Sequence, residues 1–236
     1  MTEIIRANTV LPAQRMPFTL RTNDGLALVG EVAAPLGKSQ GAMLCLHPNP
    51  SGGGMMDSHI FKKAANRLPH LAGITVVRFN TRGTSSDHGR SEGEFDNGLS
   101  EQFDVEAALS YCFEELGLTN LWVVGWSFGT DLALHYAKDS RHQGLILLSP
   151  PLKNSRVEQL TYWNTDLRPI VALIPEFDDY LKPHEAAEKF SVIPHIELIA
   201  VDGAKHLWIG EPSVYRVLTE IVGRIAPQNL PLPIEY

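Results

Sequence analysis

Short apolar runs alternate with longer runs of mixed apolar and polar residues along most of this chain. The apolar runs predict buried strands at residues 42–46, 74–79, 121–124, 144–148, 170–174 and 196–201. The mixed runs carry apolar residues at helical spacing and predict helices at residues 59–71, 100–116, 131–138, 184–190 and 214–225. Because strands that alternate with helices indicate βαβ units, we expect an α/β protein with a mostly parallel sheet and helices on both faces.

The N-terminal region has a different pattern. Residues 18–21 and 26–33 predict two strands, and the Asp24-Gly25 pair between them is a strong hairpin signal, so we expect an antiparallel edge on the sheet. Residues 151–168, between two predicted strands, have room for only a short excursion, which predicts minimal or no lid. With 236 residues, of which 44% are hydrophobic, residues 1–236 are expected to form a single domain.

Charge and composition narrow the class of partner. The formal net charge of −7 gives no electrostatic support to a nucleic acid or an anionic membrane as partner. No apolar run approaches the ~20 residues of a membrane span, and the N-terminal residues do not resemble a signal peptide. Cys45 and Cys112 lie in apolar segments, as thiols of a reduced compartment do. We expect a cytoplasmic monomer or homodimer that acts on a small molecule, with no cofactor and no metal.

The segment with the most specific chemistry follows the predicted strand at 121–124. Gly125-Trp126-Ser127-Phe128-Gly129 fits the pattern G-x-S-x-G, which places a serine on a sharp turn between a strand and a helix. The strand before this segment and the helix after it are the surroundings that the motif requires. We therefore predict that Ser127 is a nucleophile at the carboxyl edge of the sheet, where parallel sheets bind ligands.

A serine hydroxyl needs a base to take its proton, and the base needs a carboxylate to orient it. His206 directly follows the last predicted strand, in a loop that can reach Ser127, and is the predicted base. The acid should follow a strand between these two residues. Asp178 is preferred, while Asp179 and then Glu176 remain alternatives. Along the chain, these residues come in the order serine, acid, histidine, which is the order of the catalytic triad in one known fold.

An oxyanion intermediate needs two hydrogen-bond donors. One is the backbone N–H of Phe128, the residue after the nucleophile. The other should come from the loop after residue 46. Pro48 and Pro50 have no N–H, so within this tripeptide only Asn49 can donate.

These motifs resemble those of the α/β-hydrolases, and most closely the small, lidless, dienelactone-hydrolase-like group. The matching segments are His47-Pro48-Asn49-Pro50, Phe79-Asn80-Thr81-Arg82-Gly83, Ser91-Glu92-Gly93, the segment around Ser127, Glu176-Phe177-Asp178-Asp179 and Gly203-Ala204-Lys205-His206. The resemblance covers nearly the whole chain. It implies the α/β-hydrolase fold, a triad of Ser127, Asp178 and His206, and oxyanion donors at Asn49 and Phe128. True dienelactone hydrolases use a cysteine nucleophile, whereas this chain has Ser127.

The predicted function is a serine hydrolase that cleaves a small carboxylic ester or thioester through an acyl-enzyme intermediate. Trp126, Trp163 and Trp208 are expected to contact an apolar acyl or alcohol group in an open site, with a core position as the alternative for the last two. Arg82 is expected to anchor its own loop through Asp87 or Asp96, with an ion pair to a substrate carboxylate as the alternative. A peptidase or amidase, and a weakly active or inactive binding or scaffold protein, remain alternatives.

Overall fold

Strands and helices alternate in the computed structural model, which describes residues 3–153, 155 and 157–236. The strands are β1 (Gln14–Arg21), β2 (Ala27–Ala34), β3 (Gly41–Leu46), β4 (Ile74–Phe79), β5 (Ser85–Ser86), β6 (Gly89–Arg90), β7 (Leu121–Trp126), β8 (Gly144–Leu148), β9 (Ile170–Phe177) and β10 (Glu197–Lys205). The helices are α1 (His59–Ala72), α2 (Glu101–Ser110), α3 (Phe128–Tyr136), α4 (Val157–Leu160), α5 (Tyr162–Thr165), α6 (Pro183–Lys189) and α7 (Glu211–Ile225).

Eight of the described strands form one sheet in the order β1-β2-β4-β3-β7-β8-β9-β10, and β5 pairs with β6 in a small separate ribbon. The strands β1 and β2 are antiparallel, and β2 is antiparallel to β4. The remaining neighbours run parallel. The predicted fold class, a mostly parallel sheet with an antiparallel N-terminal edge, is therefore confirmed. The strand order brings the carboxyl ends of β3, β7, β9 and β10 to one edge.

The two faces of the sheet bury separate hydrophobic clusters. Along β7, Leu121 and Val123 face one cluster, whereas Trp122 and Val124 face the other, as the two-residue period of a strand requires. Helices α2, α3 and α6 cover the first cluster, and helices α1 and α7 cover the second. Helices on both faces therefore leave the carboxyl edge of the sheet as the place where loops can build a site.

Several element ends differ from the predicted ones. The helix predicted at residues 100–116 is an α-helix only to Ser110 and continues as one π-helical segment, Tyr111–Glu115. Helix α3 begins at Phe128, directly after the predicted nucleophile, instead of at residue 131. The last strand extends to Lys205 through an irregularity after Val201. The C-terminal tail is partly packed, since Leu232 is buried against the cluster under α7.

The excursion between β8 and β9 is small. It contains only the short helices α4 and α5 among its described residues. Helix α5 lies against α3, because the buried Trp163 donates from Nε1 to the carbonyl of Leu134 at 2.8 Å. For the described residues, the prediction of minimal or no lid is thus confirmed. None of the helices in the described ranges has the length and apolar character needed to cross a bilayer.

Candidate active site

Ser127 lies on the turn between β7 and α3 in a backbone conformation that few residues other than glycine adopt. Its φ is 52° and its ψ is −120°. A Cβ atom on Gly125 would lie 2.4 Å from the carbonyl oxygen of Gly129, and a Cβ on Gly129 would lie 1.9 Å from that of Leu46. Only glycine at these two positions lets the start of α3 approach β7 and β3 this closely. The turn therefore holds a half-buried serine at the carboxyl edge, as the G-x-S-x-G pattern predicts.

Ser127, His206 and Asp178 form a continuous hydrogen-bonded chain. The Oγ atom of Ser127 lies 2.8 Å from Nε2 of His206. The Nδ1 atom of the same imidazole lies 2.9 Å from Oδ2 and 3.1 Å from Oδ1 of Asp178. The carboxylate also accepts the backbone N–H of Tyr180 at 2.8 Å. This order of hydroxyl, imidazole and carboxylate is the arrangement that activates a serine for attack on a carbonyl carbon.

The three candidate acids occupy different environments. Asp178 is 3% exposed and faces His206. Asp179 is exposed, and Glu176 accepts the backbone N–H of Gly203 at 2.7 Å. Strands β9 and β10 are parallel neighbours, so the residues that follow them meet at the same edge. The structure thus brings the carboxylate of Asp178 to the imidazole of His206. The carboxylate of Glu176 instead binds the backbone of Gly203.

The backbone of His206 is fixed from two sides. Its carbonyl oxygen accepts a hydrogen bond from Nε1 of Trp126 at 3.2 Å and another from the hydroxyl of Ser149 at 3.1 Å. Its ring meets the ring of Tyr180 with 4.6 Å between the centroids and an interplanar angle of 62°. Because both the backbone and the ring are held, the imidazole loses little freedom when it accepts a proton.

The loop after β3 carries Asn49, the predicted oxyanion donor. Asn49 is exposed and begins a short 3₁₀ turn, in which its side chain accepts the N–H of Ser51 at 2.9 Å. Its carbonyl oxygen accepts the N–H groups of Gly52 at 3.0 Å and Gly54 at 2.9 Å. The carbonyl and side-chain oxygens of Asn49 are therefore used within the turn, and its backbone N–H takes part in none of these contacts.

His47 fixes the peptide group that carries this N–H. Its Nε2 accepts the backbone N–H of Thr81 at 3.0 Å, so the ring proton is on Nδ1, which donates to the carbonyl of Pro48 at 2.7 Å. That carbonyl and the N–H of Asn49 belong to one planar trans peptide and point in opposite directions. Burial lowers the pKa of His47 to about 4, which keeps the ring in this neutral form.

Phe128 supplies the second predicted donor. It is the first residue of α3, where the backbone N–H has no partner within the helix. The next residue, Gly129, touches the carbonyl groups of Leu46 and His47, so the two segments with the predicted donors are in direct contact. The ring of Phe128 is buried and packs edge-on against Phe95 at 5.3 Å, which fixes the first turn of the helix.

The predicted contacts of the three tryptophans with a substrate need correction. Trp126 is 2% exposed, and Trp163 and Trp208 are 0% exposed, so these side chains offer no free surface. Trp126 and Trp208 pack in the cluster under α1 and α7, and Trp163 packs in the opposite cluster. The residues that alternate with Trp208 point the other way: Leu207 and Ile209 are exposed. The exposed apolar side chains near the acid and the base in the sequence are instead Phe177, Tyr180, Leu207 and Ile209.

Arg82 anchors its loop, but through other partners than the predicted Asp87 or Asp96. Its Nη2 lies 2.7 Å from the buried carboxylate of Asp104, and its Nη1 lies 2.9 Å from Asp24. Both acids are distant from Arg82 in the sequence, so spacing gave no signal for these pairs. His47 and Tyr180, which position the candidate site, also lacked a predicted role. Among the described residues, no group of three or more His, Cys, Asp or Glu side chains could hold a metal ion.

Comparisons with known proteins place this chain in a family. A model of the α/β-hydrolase fold matches residues 41–207. An uncharacterized protein of Rickettsia prowazekii is 34% identical over 112 residues, a stretch that covers 46% of this chain and 44% of that protein. The chain therefore matches less than half the length of that curated relative.

Solved structures share the fold across most of the chain. An α/β serine hydrolase without a lid from Xanthomonas campestris superposes with a TM-score of 0.73 at 24% identity, over 93% of this chain and 99% of that one. An esterase from Pyrococcus furiosus gives 0.71 at 20% identity, over 90% and 93% of the two chains. The family match takes in the candidate nucleophile, acid and base, and it spans well over half of the sequence. The chain belongs to the α/β-hydrolase family.

Proposed function

We propose that this protein is a serine hydrolase that cleaves small carboxylic esters or thioesters through an acyl-enzyme intermediate. The observation that carries the proposal is the contact of 2.8 Å between Oγ of Ser127 and Nε2 of His206, with Asp178 bound to the other ring nitrogen. A family match alone would fit an inactive member. The contact supports activity because it gives the hydroxyl a base within reach of its proton.

In the acylation half-reaction, His206 takes the proton of Ser127 as Oγ bonds to the carbonyl carbon. The negative charge that develops on the carbonyl oxygen meets the backbone N–H groups of Phe128 and Asn49. Each such donor stabilises the transition state by about 3 kcal/mol. The imidazolium, which Asp178 stabilises, then gives its proton to the leaving alcohol or thiol as that bond breaks.

In deacylation, His206 takes a proton from water, and the hydroxide equivalent attacks the acyl carbon of the ester on Ser127. The same two N–H groups receive the charge on the oxygen. When the bond to Oγ breaks, the imidazolium returns its proton to the serine. The carboxylic acid leaves, and the enzyme regains its first state.

The surroundings of Ser127 favour small substrates. The described residues of the excursion between β8 and β9 form only the short helices α4 and α5, so we expect the site to be open to solvent. Exposed Phe177, Leu207 and Ile209 follow or precede the acid and the base in sequence and offer apolar surface. An open site with a few exposed apolar side chains suits a compact ester better than a long acyl chain, which needs an enclosed channel.

Two measurements on the purified protein test the proposal. A fluorophosphonate probe should label the wild-type protein, and short-chain 4-nitrophenyl esters should be hydrolysed. The variant Ser127→Ala should lose both signals, because it lacks the nucleophile. If the wild-type protein shows neither labelling nor turnover at any acyl length, the proposal is wrong and a binding or scaffold role is favoured. Labelling without turnover of esters, but with turnover of anilides, would indicate an amidase.

A further inference from the structure

Lys153 contacts the ring of Tyr180, and that ring also contacts the candidate base, His206. The Nζ atom of Lys153 lies 4.4 Å from the centroid of the Tyr180 ring, and that ring meets the imidazole of His206 at 4.6 Å. The Lys153 ammonium has no carboxylate within ion-pair distance among the described residues. A cation on the face of an aromatic ring is attracted to it, but that contact leaves its hydrogen-bond donors free for an anion.

The backbone that carries Lys153 is held in an uncommon conformation. Ser149 and Leu152 have φ values of 50° and 51°. A positive φ at a leucine is rare and costly, and such residues concentrate at functional sites. Ser149 is fixed by its hydrogen bond to the carbonyl of His206, and Pro150 and Pro151 stiffen the chain between these two residues. The loop is therefore tied to the base at one end and presents Lys153 at the other.

Lys153 also lines an open cleft of about 680 Å³. Leu99 and Tyr136 contribute apolar surface to this cleft, and Asn97 and Ser155 contribute polar groups. Burial lowers the pKa of His135, which also lines the cleft, to about 4, so this imidazole carries no charge near neutral pH. Glu158, on the same cleft, is exposed, as Lys153 is, and its carboxylate lies beyond ion-pair distance of that ammonium. Among the described residues that line the cleft, Lys153 is thus the cation, and its contact with Tyr180 connects the cleft to the candidate base.

We propose that Lys153 is a specificity residue that binds a carboxylate on the substrate, so that the preferred substrates are monoesters with an anionic group near the scissile bond. The inference rests on the proposed hydrolase function and adds the charge of its substrate. The carboxylate would reside either in the acyl part or in the leaving group, since both extend from the carbonyl carbon toward open parts of the site.

Matched pairs of esters test the proposal and separate the two sources of charge. For the acyl part, mono-4-nitrophenyl adipate is compared with its neutral methyl ester. For the leaving group, 3-carboxyphenyl acetate is compared with its methyl ester. In each pair, the ratio of kcat/KM for the anionic ester to that for the neutral ester is measured in wild-type protein and variants. Hydrolysis in the presence of Ser127→Ala is subtracted as background.

In at least one pair, Lys153→Met should lower this ratio about three- to tenfold, mainly through KM, because one partly exposed ion pair is lost. Lys153→Arg should restore most of the ratio. Lys189→Met, which removes a charge from the exposed surface of α6, is the matched control and should leave the ratio unchanged. High salt should reduce the wild-type ratio and leave that of Lys153→Met nearly constant.

The pair that responds to Lys153→Met identifies the part of the substrate that carries the charge. Unchanged ratios in both pairs, with normal turnover of the neutral esters, would overturn the role of Lys153 and leave the proposed hydrolase function intact. A ratio that falls equally in Lys189→Met would also overturn it, since the effect would then come from net charge. A lack of turnover of all four esters, with no probe labelling, would remove both proposals together.

Discussion

Asp178 and His206 approach each other from the ends of two adjacent parallel strands. The imidazole Nδ1 lies 2.9 Å from Oδ2 of the carboxylate, and both side chains are buried. The carboxylate is also held by the N–H groups of Tyr180 at 2.8 Å and Leu181 at 3.3 Å. Asp179, the next residue, is exposed. One position in this acidic segment is thus selected by the local turn, which directs one carboxylate inward.

The choice between the two aspartates gives the first prediction. Asp178→Asn should lower kcat roughly 10³- to 10⁴-fold, because the amide can neither fix the required tautomer of His206 nor stabilise the imidazolium. Asp179→Asn should change kcat little. Steady-state kinetics with a short 4-nitrophenyl ester provides the measurement, with circular dichroism to show that each variant is folded. A larger loss in Asp179→Asn would refute the assignment.

The second prediction concerns His47, which links the loop of Asn49 to Thr81. His47→Asn places an amide nitrogen near the position of Nδ1 and can keep the bond to Pro48. His47→Gln can reach Thr81 but loses the bond to Pro48. If the Pro48 contact orients the N–H of Asn49, the Gln variant should lose about 10²-fold in kcat with little change in KM, and the Asn variant should lose less.

The comparison of these two variants is informative because both remove the same ring from the same buried place. A thermal unfolding measurement on each should show similar destabilisation. Equal losses of kcat in the two variants, or a loss confined to KM, would mean that His47 only packs and does not position the donor.

The third prediction concerns pH. Burial lowers the pKa of both His47 and His142 from 6.5 to about 4. Between these values the unfolded chain binds more protons than the folded protein, so the free energy of unfolding decreases as the pH falls through this window. The stabilisation is fully present above pH 6.5, and about 3 kcal/mol of it is lost for each group by pH 4.

Urea unfolding from pH 7 to pH 4 measures this dependence. His142 donates from Nε2 to the carbonyl of Ala137 at 2.7 Å, and its Nδ1 is buried without a partner in the described part of the protein. His142→Gln removes one titrating group, so it should flatten the decrease of stability between pH 6.5 and 4. A steeper decrease in this variant than in the wild type would contradict the assignment of His142 as a neutral buried group.

The sequence predicted the fold well because its main signals are local. Apolar runs bounded by turns locate the central strands, and the Gly125–Gly129 segment fixes the turn at Ser127. Parallel strands end at one edge of a sheet, so residues that follow such strands are expected to lie near one another. The proximity of His206 to Ser127 could therefore be predicted without any tertiary contact. The fold class and the edge that carries the candidate site could therefore be predicted.

The side-chain directions were harder to predict. Trp208 and Leu207 are neighbours, yet one is buried and the other is exposed, and this depends on how the loop after β10 leaves the irregular strand end. Size and aromatic character favoured the tryptophan as a contact for substrate. Likewise, the partners of Arg82 come from a hairpin and a helix far away in the chain, so only the tertiary packing brings them together.

The fourth prediction concerns the contact between α3 and β3. A Cβ on Gly129 would lie 1.9 Å from the carbonyl oxygen of Leu46, and neither backbone can move without disturbing the turn at Ser127. Gly129→Ala should therefore destabilise the protein by more than about 2 kcal/mol and lower activity. Gly37→Ala is the control, because its Cβ would meet nothing within 4 Å. Denaturant unfolding of both variants would decide the point, and equal stabilities would contradict the close approach.

The fifth prediction concerns the ion pair of Arg82 and Asp104, whose side chains are 5% and 0% exposed. The carboxylate accepts the backbone N–H of Arg82 at 2.8 Å as well as its guanidinium, so it closes the loop that carries Thr81 against α2. Asp104→Asn should lower the free energy of unfolding by about 3 kcal/mol, since it leaves a buried guanidinium with less compensating charge.

A cycle with Arg82→Met separates this pair from general packing. If the two charges compensate each other, the double variant should be more stable than the sum of the single effects predicts, by at least about 1 kcal/mol. Arg90→Met is the exposed control, because the partner of Arg90, Glu94, is largely solvated. Loss of this ion pair should lower the free energy of unfolding by less than about 1 kcal/mol. Urea unfolding at neutral pH measures the four proteins of the cycle and the Arg90→Met control. Additive effects in the cycle would show that Arg82 and Asp104 stabilise the loop independently, through their separate contacts.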